Sequence, residues 1–540
     1  MIFSLAILGS FVLYLIVGAV VSRTVKSKAD FFVSGRNAPT LLVGGTLVAS
    51  FMSTVAFMGE LGMAYDGYPV AMLMMVALNV CGYVIGVVLF GRYLRRSNAL
   101  TVPEFFGKRF DSGLLQMITG LTVIIGIGFY LIAVTQGMML VVQQLTGLSA
   151  GVSLLAVWLG YTVFTLLSGA RGVLVNDTIM FFIFGIAAVG GISWVIFRAG
   201  GPTQAFEKMW VSTDRPDGLA WHGITSGDTY MGSPTDVLVW AVTLGIAWML
   251  VVAVSPWQSS RYLMAKNEHV SIRSALMATA SVLFLYVFLT FGGLAISLFN
   301  PDIDPSEVTF IWAAQNIMPT ALGVISVTGI VAAGLSSAAS FLSIIGFSVD
   351  NDVMPWFRHA LGRKKKESDV RLTRWAMIAV ALVALVFTYF SPPAVLTIGY
   401  FAATLFAASW GPLAFWCIRS EKLTTRGAIA GVITGFLSVG ILEGIQAFSN
   451  GEITLPTWAN PVLIGLVASI AATLIGNIGA TPAPAGVDFL RTLRETPPED
   501  RDSKQMRVTK AGAYVAGGVI LLCGVMIIVF YALPTFAATS

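Results

Sequence analysis

The chain has 540 residues, 56% of them hydrophobic and only 11% charged, with a mean hydropathy of +0.83. That composition excludes an ordinary soluble domain, and a formal net charge of +5 in so apolar a chain is no nucleic-acid signal. The apolar residues instead fall into runs of about 20 or more, each enough to cross a bilayer core of ~30 Å as a helix.

Fourteen such runs follow one another, near residues 2–22, 41–65, 70–91, 113–140, 148–170, 174–198, 237–258, 274–299, 318–348, 373–391, 394–418, 427–448, 459–479 and 511–534. They lack the strict alternation of barrel strands, so an all-α polytopic membrane protein is expected. With the N-terminus outside, only Arg198, Lys208 and Arg215 fall in outside loops, and the other 29 of the 32 Lys and Arg fall inside. The positive-inside rule therefore puts both termini outside a cell (inner or plasma) membrane, with the lipid bilayer as partner. The first run lacks a basic lead and a small-residue cleavage site, so no cleavable signal is expected.

Along the chain, the second run carries "GGTLVASFMST" (44–54), rich in Gly and hydroxyl residues, and then Glu60, whose expected behaviour is to snorkel outward. Substrate binding and proton coupling are its alternatives. The sixth run holds Asp177 near its inside end, six residues from Arg171, with which a snorkelling carboxylate can pair. Residues 200–236 read as a polar outside loop. The seventh run is interrupted by "AVSPWQSS" (253–260). Runs two to six and seven to eleven make two groups of five, and an odd number starts the second group from the opposite side. Broken helices at corresponding places in inverted halves point to a midplane transport site. The expected division is an extra helix and inside loop (1–40), a first repeat (41–198), the outside loop (199–236), a second repeat (237–418) and C-terminal helices with a charged linker (419–540).

The ninth run contains "VAAGLSSAASFLS" (331–343), four hydroxyls in an otherwise apolar helix. Back-bonding to the preceding turn and close helix packing are the ordinary uses of such serines. "GRKKKESDVRLTR" (362–374) reads as a basic inside loop that sets topology and meets anionic lipid. Cys81, Cys417 and Cys523 lie in apolar runs and read as packing residues, while His222, His269 and His359 are expected in loops. There is no Walker motif, so ATP-driven transport is not expected.

Seven stretches, in order, resemble one family: "ADFFVSGRN" (29–37), "ASFMSTVAFMG…AYDGYP" (49–69), "TVPEFFGKRF" (101–110), "VNDTIMFF" (175–182), "SPWQSSRYLMA" (255–265), "AAGLSSAAS" (332–340) and "WGPLAFWCIRSEKLTTRGAIAGVITG" (410–435). Together they resemble the sodium/solute symporters, which carry sugars, proline, pantothenate, sialic acid and monocarboxylates with sodium. The resemblance implies an inverted five-plus-five helix bundle of the leucine-transporter type, and a transporter rather than an enzyme.

It also implies a site for Na+. Sodium is a hard cation that takes about five or six oxygens, and a broken membrane helix supplies carbonyls for it. By resemblance those oxygens come from Ala49, Met52, Ala333, Ser336 and Ser337. Asp177, with Ser340, would hold a second sodium or line the exit path; Ala339 stands where a third hydroxyl is expected. Trp248, Ser53, Thr54 and Ser255 flank the two breaks beside Phe51 and are the candidate substrate contacts. "SEKLTTRGA" (420–428), and Ala56 where the sugar carriers have glutamine, resemble the monocarboxylate, pantothenate and proline branches more than the sugar branch. The expected partners are therefore a small organic, carboxylate-bearing solute and sodium. A solute sensor without transport and a proton-coupled symporter of the same fold are the alternatives, and oligomeric state has no sequence signature.

Overall fold

A computed structural model of the chain describes residues 2–22, 32–225, 231–362, 370–391, 394–449 and 455–534, without the side chains of 17–19, 21–22, 167–171, 370 and 457. All fourteen expected runs are helical. Among the described residues ten helices are long and apolar enough to cross a membrane, one bent pair makes an eleventh, and three further apolar helices are shorter. The only β pairing among them is an isolated bridge, Ala38 to Ala265.

In chain order, α1 is Ile2–Ser22, α2 is Thr40–Phe51 and α3 is Val55–Tyr65. Then come α4 (Pro69–Ser97), α5 (Val102–Phe110), α6 (Gly113–Thr146), α7 (Ala150–Leu166) and α8 (Gly172–Arg198). The outside stretch expected as loop contains a helix, α9 (Pro202–Trp210). The second group holds α10 (Pro234–Val254), α11 (Pro256–Met264), α12 (Glu268–Ser297), α13 (Thr309–Asn316), α14 (Thr320–Ala360), α15 (Val370–Phe390) and α16 (Val395–Arg419). The chain ends with α17 (Thr425–Phe448), α18 (Pro461–Asn477), α19 (Pro484–Arg494) and α20 (Ser503–Ile527).

Polar starts fix where several helices begin. Thr101, Ser112, Ser233 and Asn267 each accept a backbone N–H of the following first turn with the side-chain oxygen, as N-caps do. Two of the expected histidine positions change as a result. His269 lies buried in the first turn of α12 and His359 lies exposed near the end of α14, because both helices run further than their apolar cores alone require. Cys417 and Cys523 are buried as expected, whereas Cys81 is exposed on the side of α4. The basic stretch 363–369 lies outside the described residues.

The core sits where the two broken spans meet. α2 and α3 are bent by 55° at 52–54. α10 ends at Val254 and α11 restarts at Pro256, whose missing N–H costs nothing at a helix start. Against both lies α14, whose best apolar window is wholly buried. Gly137 on α6 and Gly334 on α14 press on the Thr54 side chain, so that any larger residue at either position would collide with it.

Candidate functional site

Helix α2 stops at Phe51, and Met52 turns to extended backbone (ψ 90°). Carbonyls near the end of a helix have no partner further along, so the break leaves oxygens to be satisfied by other elements. The Ala49 carbonyl receives the Ser336 hydroxyl at 3.3 Å and the Ser337 hydroxyl at 3.5 Å. The two serines therefore reach across to the broken helix instead of back-bonding along α14. Ala333 lies one turn before Ser337 and Met52 three residues after Ala49, both fully buried.

Asp177 lies on the same side. Its carboxylate accepts Thr46 Oγ1 at 2.5 Å, Ser336 Oγ at 2.7 Å and Ser340 Oγ at 3.4 Å. Its cation is Arg261, whose Nη2 is 3.9 Å from Oδ2. The pairing with Arg171 is not what the described atoms contain, since the Arg171 side chain lies outside them. Asp177 does not snorkel: it is wholly buried, held among hydroxyls and a guanidinium that offset its desolvation. Arg261, counted with the inside loop on charge grounds, is instead 2% exposed on α11. Ser343, two turns beyond Ser336, has a buried hydroxyl with no hydrogen-bond partner.

Above the breaks the lining is aromatic. Trp248 meets Phe51 edge-on at 5.8 Å and Tyr400 at 5.4 Å, and Tyr130 lies 6.5 Å from Trp248 and 5.3 Å from Trp257. Among the expected substrate contacts, Phe51 and Trp248 thus touch each other. Ser53 is a local cap, its Oγ accepting the Val55 N–H at 3.1 Å, and it also bonds Tyr130. Thr54 donates weakly to the Val134 carbonyl at 3.4 Å, between the two glycines. Ser255 sits at the second break with its hydroxyl unpartnered, and so do the indole N–H groups of Trp248 and Trp257. These buried donors are free to meet an acceptor.

Glu60 corrects an expectation. It is 5% exposed and does not reach outward. One carboxylate oxygen accepts the Tyr400 hydroxyl at 3.0 Å and the other is held closely by the Tyr286 hydroxyl. The partners lie 226 and 340 residues away in sequence, so no local pattern announces them. Arg261 was findable: it is a cation inside an interrupted membrane helix, next to the break.

With this geometry in place, comparisons with known proteins gain weight. The profile described as the sodium:solute symporter family matches residues 31–435. The sodium/proline symporter of Escherichia coli (strain K12) is 24% identical over 490 residues, covering 85% of this chain and 92% of that protein. The Homo sapiens sodium/iodide cotransporter is 25% identical over 493 residues, covering 87% and 68%. Among solved structures, a Na+-coupled sialic acid symporter in a substrate-bound outward-open state superposes with a TM-score of 0.70 at 17% identity, over 89% of this chain and 99% of that one. A polytopic helical bundle with two broken spans, matched over three quarters of its length, belongs to the sodium:solute symporter family: it is a multi-pass membrane transporter, not an enzyme, and couples sodium to a small solute.

Proposed function

We propose that this symporter imports a small, carboxylate-bearing organic solute together with sodium held by Ala49, Met52, Ala333, Ser336 and Ser337. The observation that supports this best is that Ser336 and Ser337 both address the Ala49 carbonyl freed by the break. A hydroxyl that now donates to this carbonyl turns its lone pair to an arriving cation. Sodium then joins α2, at its broken end, to the unbroken α14, and so favours the conformation in which the break is ordered. Asp177 and Ser340 serve a second sodium or the inward exit path. Phe51, Ser53, Thr54, Trp248 and Ser255 surround the solute, with the unpaired donors of Trp248 and Ser255 available to its carboxylate.

In this reading the five-helix groups 41–198 and 237–418 rock around the midplane, with both termini outside. One sodium moving down 100 mV supplies about 2.3 kcal/mol, and a tenfold gradient about 1.4 kcal/mol more, enough for roughly 400-fold accumulation. Uptake of labelled acetate, pyruvate, pantothenate, proline and glucose into proteoliposomes is the test. Sodium-driven accumulation of one acid supports the reading. Binding without accumulation identifies a sensor, and accumulation driven by protons alone removes sodium from the cycle.

A further inference from the structure

The aromatic cluster contains one strong acceptor that the sodium site does not use. Glu60 lies on α3, Tyr286 on α12 and Tyr400 on α16, so the carboxylate is held by elements of both five-helix groups. Its setting differs from that of three other buried carboxylates, Asp177, Glu268 and Asp352. Asp177 faces Arg261, and Glu268 is paired with Arg96 at 2.5 Å. Asp352 has no cation but receives four neutral donors, from Thr101, Gln116, Ser348 and Asn351. A carboxylate accepts about four hydrogen bonds in all. Glu60 receives two, both from phenols, and among the described residues no Lys, Arg or His forms an ion pair with it. A charge buried in a membrane helix with half its acceptor capacity free needs a further partner.

The surroundings specify what that partner is. The two phenols that hold Glu60 belong to a continuous aromatic wall: Tyr400 packs on Trp248, Trp248 on Phe51, and Phe51 lies 6.3 Å from Tyr286. Aromatic faces around a carboxylate are the setting that attracts an organic cation, through the ring quadrupoles and the charge together. Near the breaks lie the unpaired donors of Trp248, Ser255 and Trp257, the two indoles both packed on Tyr130, and these donors suit an anion. An acceptor among aromatic rings together with free donors beside the same rings matches a zwitterion.

Resting on the solute-symporter reading above, we infer that Glu60, with the rings of Phe51, Trp248, Tyr286 and Tyr400, recognises a positively charged nitrogen of the substrate, a substituted ammonium a few bonds from the carboxylate. Glu60 is then the specificity-determining residue that separates zwitterions from plain monocarboxylates. Its position between the two helix groups also lets the bound ammonium supply the missing counter-charge when the two groups close on it.

The test uses ligand pairs that differ only in that nitrogen: glycine betaine against 3,3-dimethylbutanoate, and proline against cyclopentanecarboxylate. Binding to the purified full-length protein is measured with and without sodium. In at least one pair the charged-nitrogen member should bind about tenfold tighter or more. Glu60→Gln should bring that ratio to near one while leaving sodium affinity in place, and Glu60→Asp should retain part of it. Equal binding within both pairs of the wild-type protein, or binding of none of the charged members, overturns the proposal even where the variants fail to fold. So does a ratio unchanged in Glu60→Gln. Sodium-free uptake driven by external acid and abolished in Glu60→Gln makes the group a proton carrier and also overturns it. Failure of the symport reading is separate: it shows as binding indifferent to sodium, with the ligand ratio intact.

Discussion

Ser336 donates to the Asp177 carboxylate at 2.7 Å and lies 3.3 Å from the Ala49 carbonyl, so a single hydroxyl joins α14 to both α8 and the broken α2. Its neighbour Ser337 reaches only the Ala49 carbonyl. The pair therefore divides its contacts between the broken helix and the acidic cluster, and substitutions in it separate the two.

Ser337→Ala removes one oxygen of about five while leaving volume and helix propensity nearly unchanged. Contacts of a hydroxyl with a charge are worth ~1.5–3 kcal/mol, so sodium affinity should fall roughly ten- to a hundredfold. Substrate affinity should fall at low sodium and recover at high sodium, because coupling between sites is reciprocal. Ser343→Ala, whose hydroxyl has no partner, is the control. Sodium titration of substrate binding checks this, and unchanged sodium dependence in both Ser337→Ala and Ser336→Ala returns the serines to packing roles.

Asp177→Asn leaves the Arg261 guanidinium buried without its carboxylate. Removing one partner of a buried pair costs about 3–5 kcal/mol, and the 3.9 Å separation puts this pair at the lower end. Asp177→Asn combined with Arg261→Gln should recover part of the loss. Thermal unfolding of the four proteins of this cycle measures it; additive effects would show that the two groups do not interact.

Trp248→Ala should raise the half-saturation constant for substrate several-fold while changing that for sodium little. Packing of a ring against a bound group contributes about 0.5–1.5 kcal/mol beyond its area. Equal changes in both constants would mean that Trp248 serves only the packing of Phe51 and Tyr400.

The orientation can be read from two exposed apolar residues. Val211, after α9, is 73% exposed and Leu361, just after α14, is 68% exposed. A cysteine at 211 should react with an impermeant thiol reagent on whole cells and one at 361 should not. The reverse pattern would invert the whole assignment of inside and outside.

Glu104, in the first turn of α5, gives a pH dependence of known sign. Burial raises its carboxyl, but hydrogen bonds from Lys108, the Leu100 N–H and Asn351 outweigh this and hold it below the usual range. A carboxyl lowered on folding contributes stability that is complete above its unfolded value, near 4.5, and is lost as pH falls through the still lower folded value. Glu104→Gln should flatten that acid limb of stability without affecting the neutral one. An unchanged limb would assign the acid sensitivity to other groups.

Local composition marked the helical runs, the breaks and the serine pair. Membrane helices need runs of about 20 apolar residues, and Gly, Pro and Ser interrupt them visibly at 44–54 and 253–260. It could not settle where the intramembrane charges point. A carboxylate near a helix end reads as snorkelling, because water is the cheapest partner that a local pattern offers. For Glu60 and Asp177 the folded chain brings cheaper partners from far along the sequence: two tyrosines for one, and Thr46, Ser336, Ser340 and Arg261 for the other. Those pairings depend on which helix faces meet in three dimensions, and only the tertiary structure decides that.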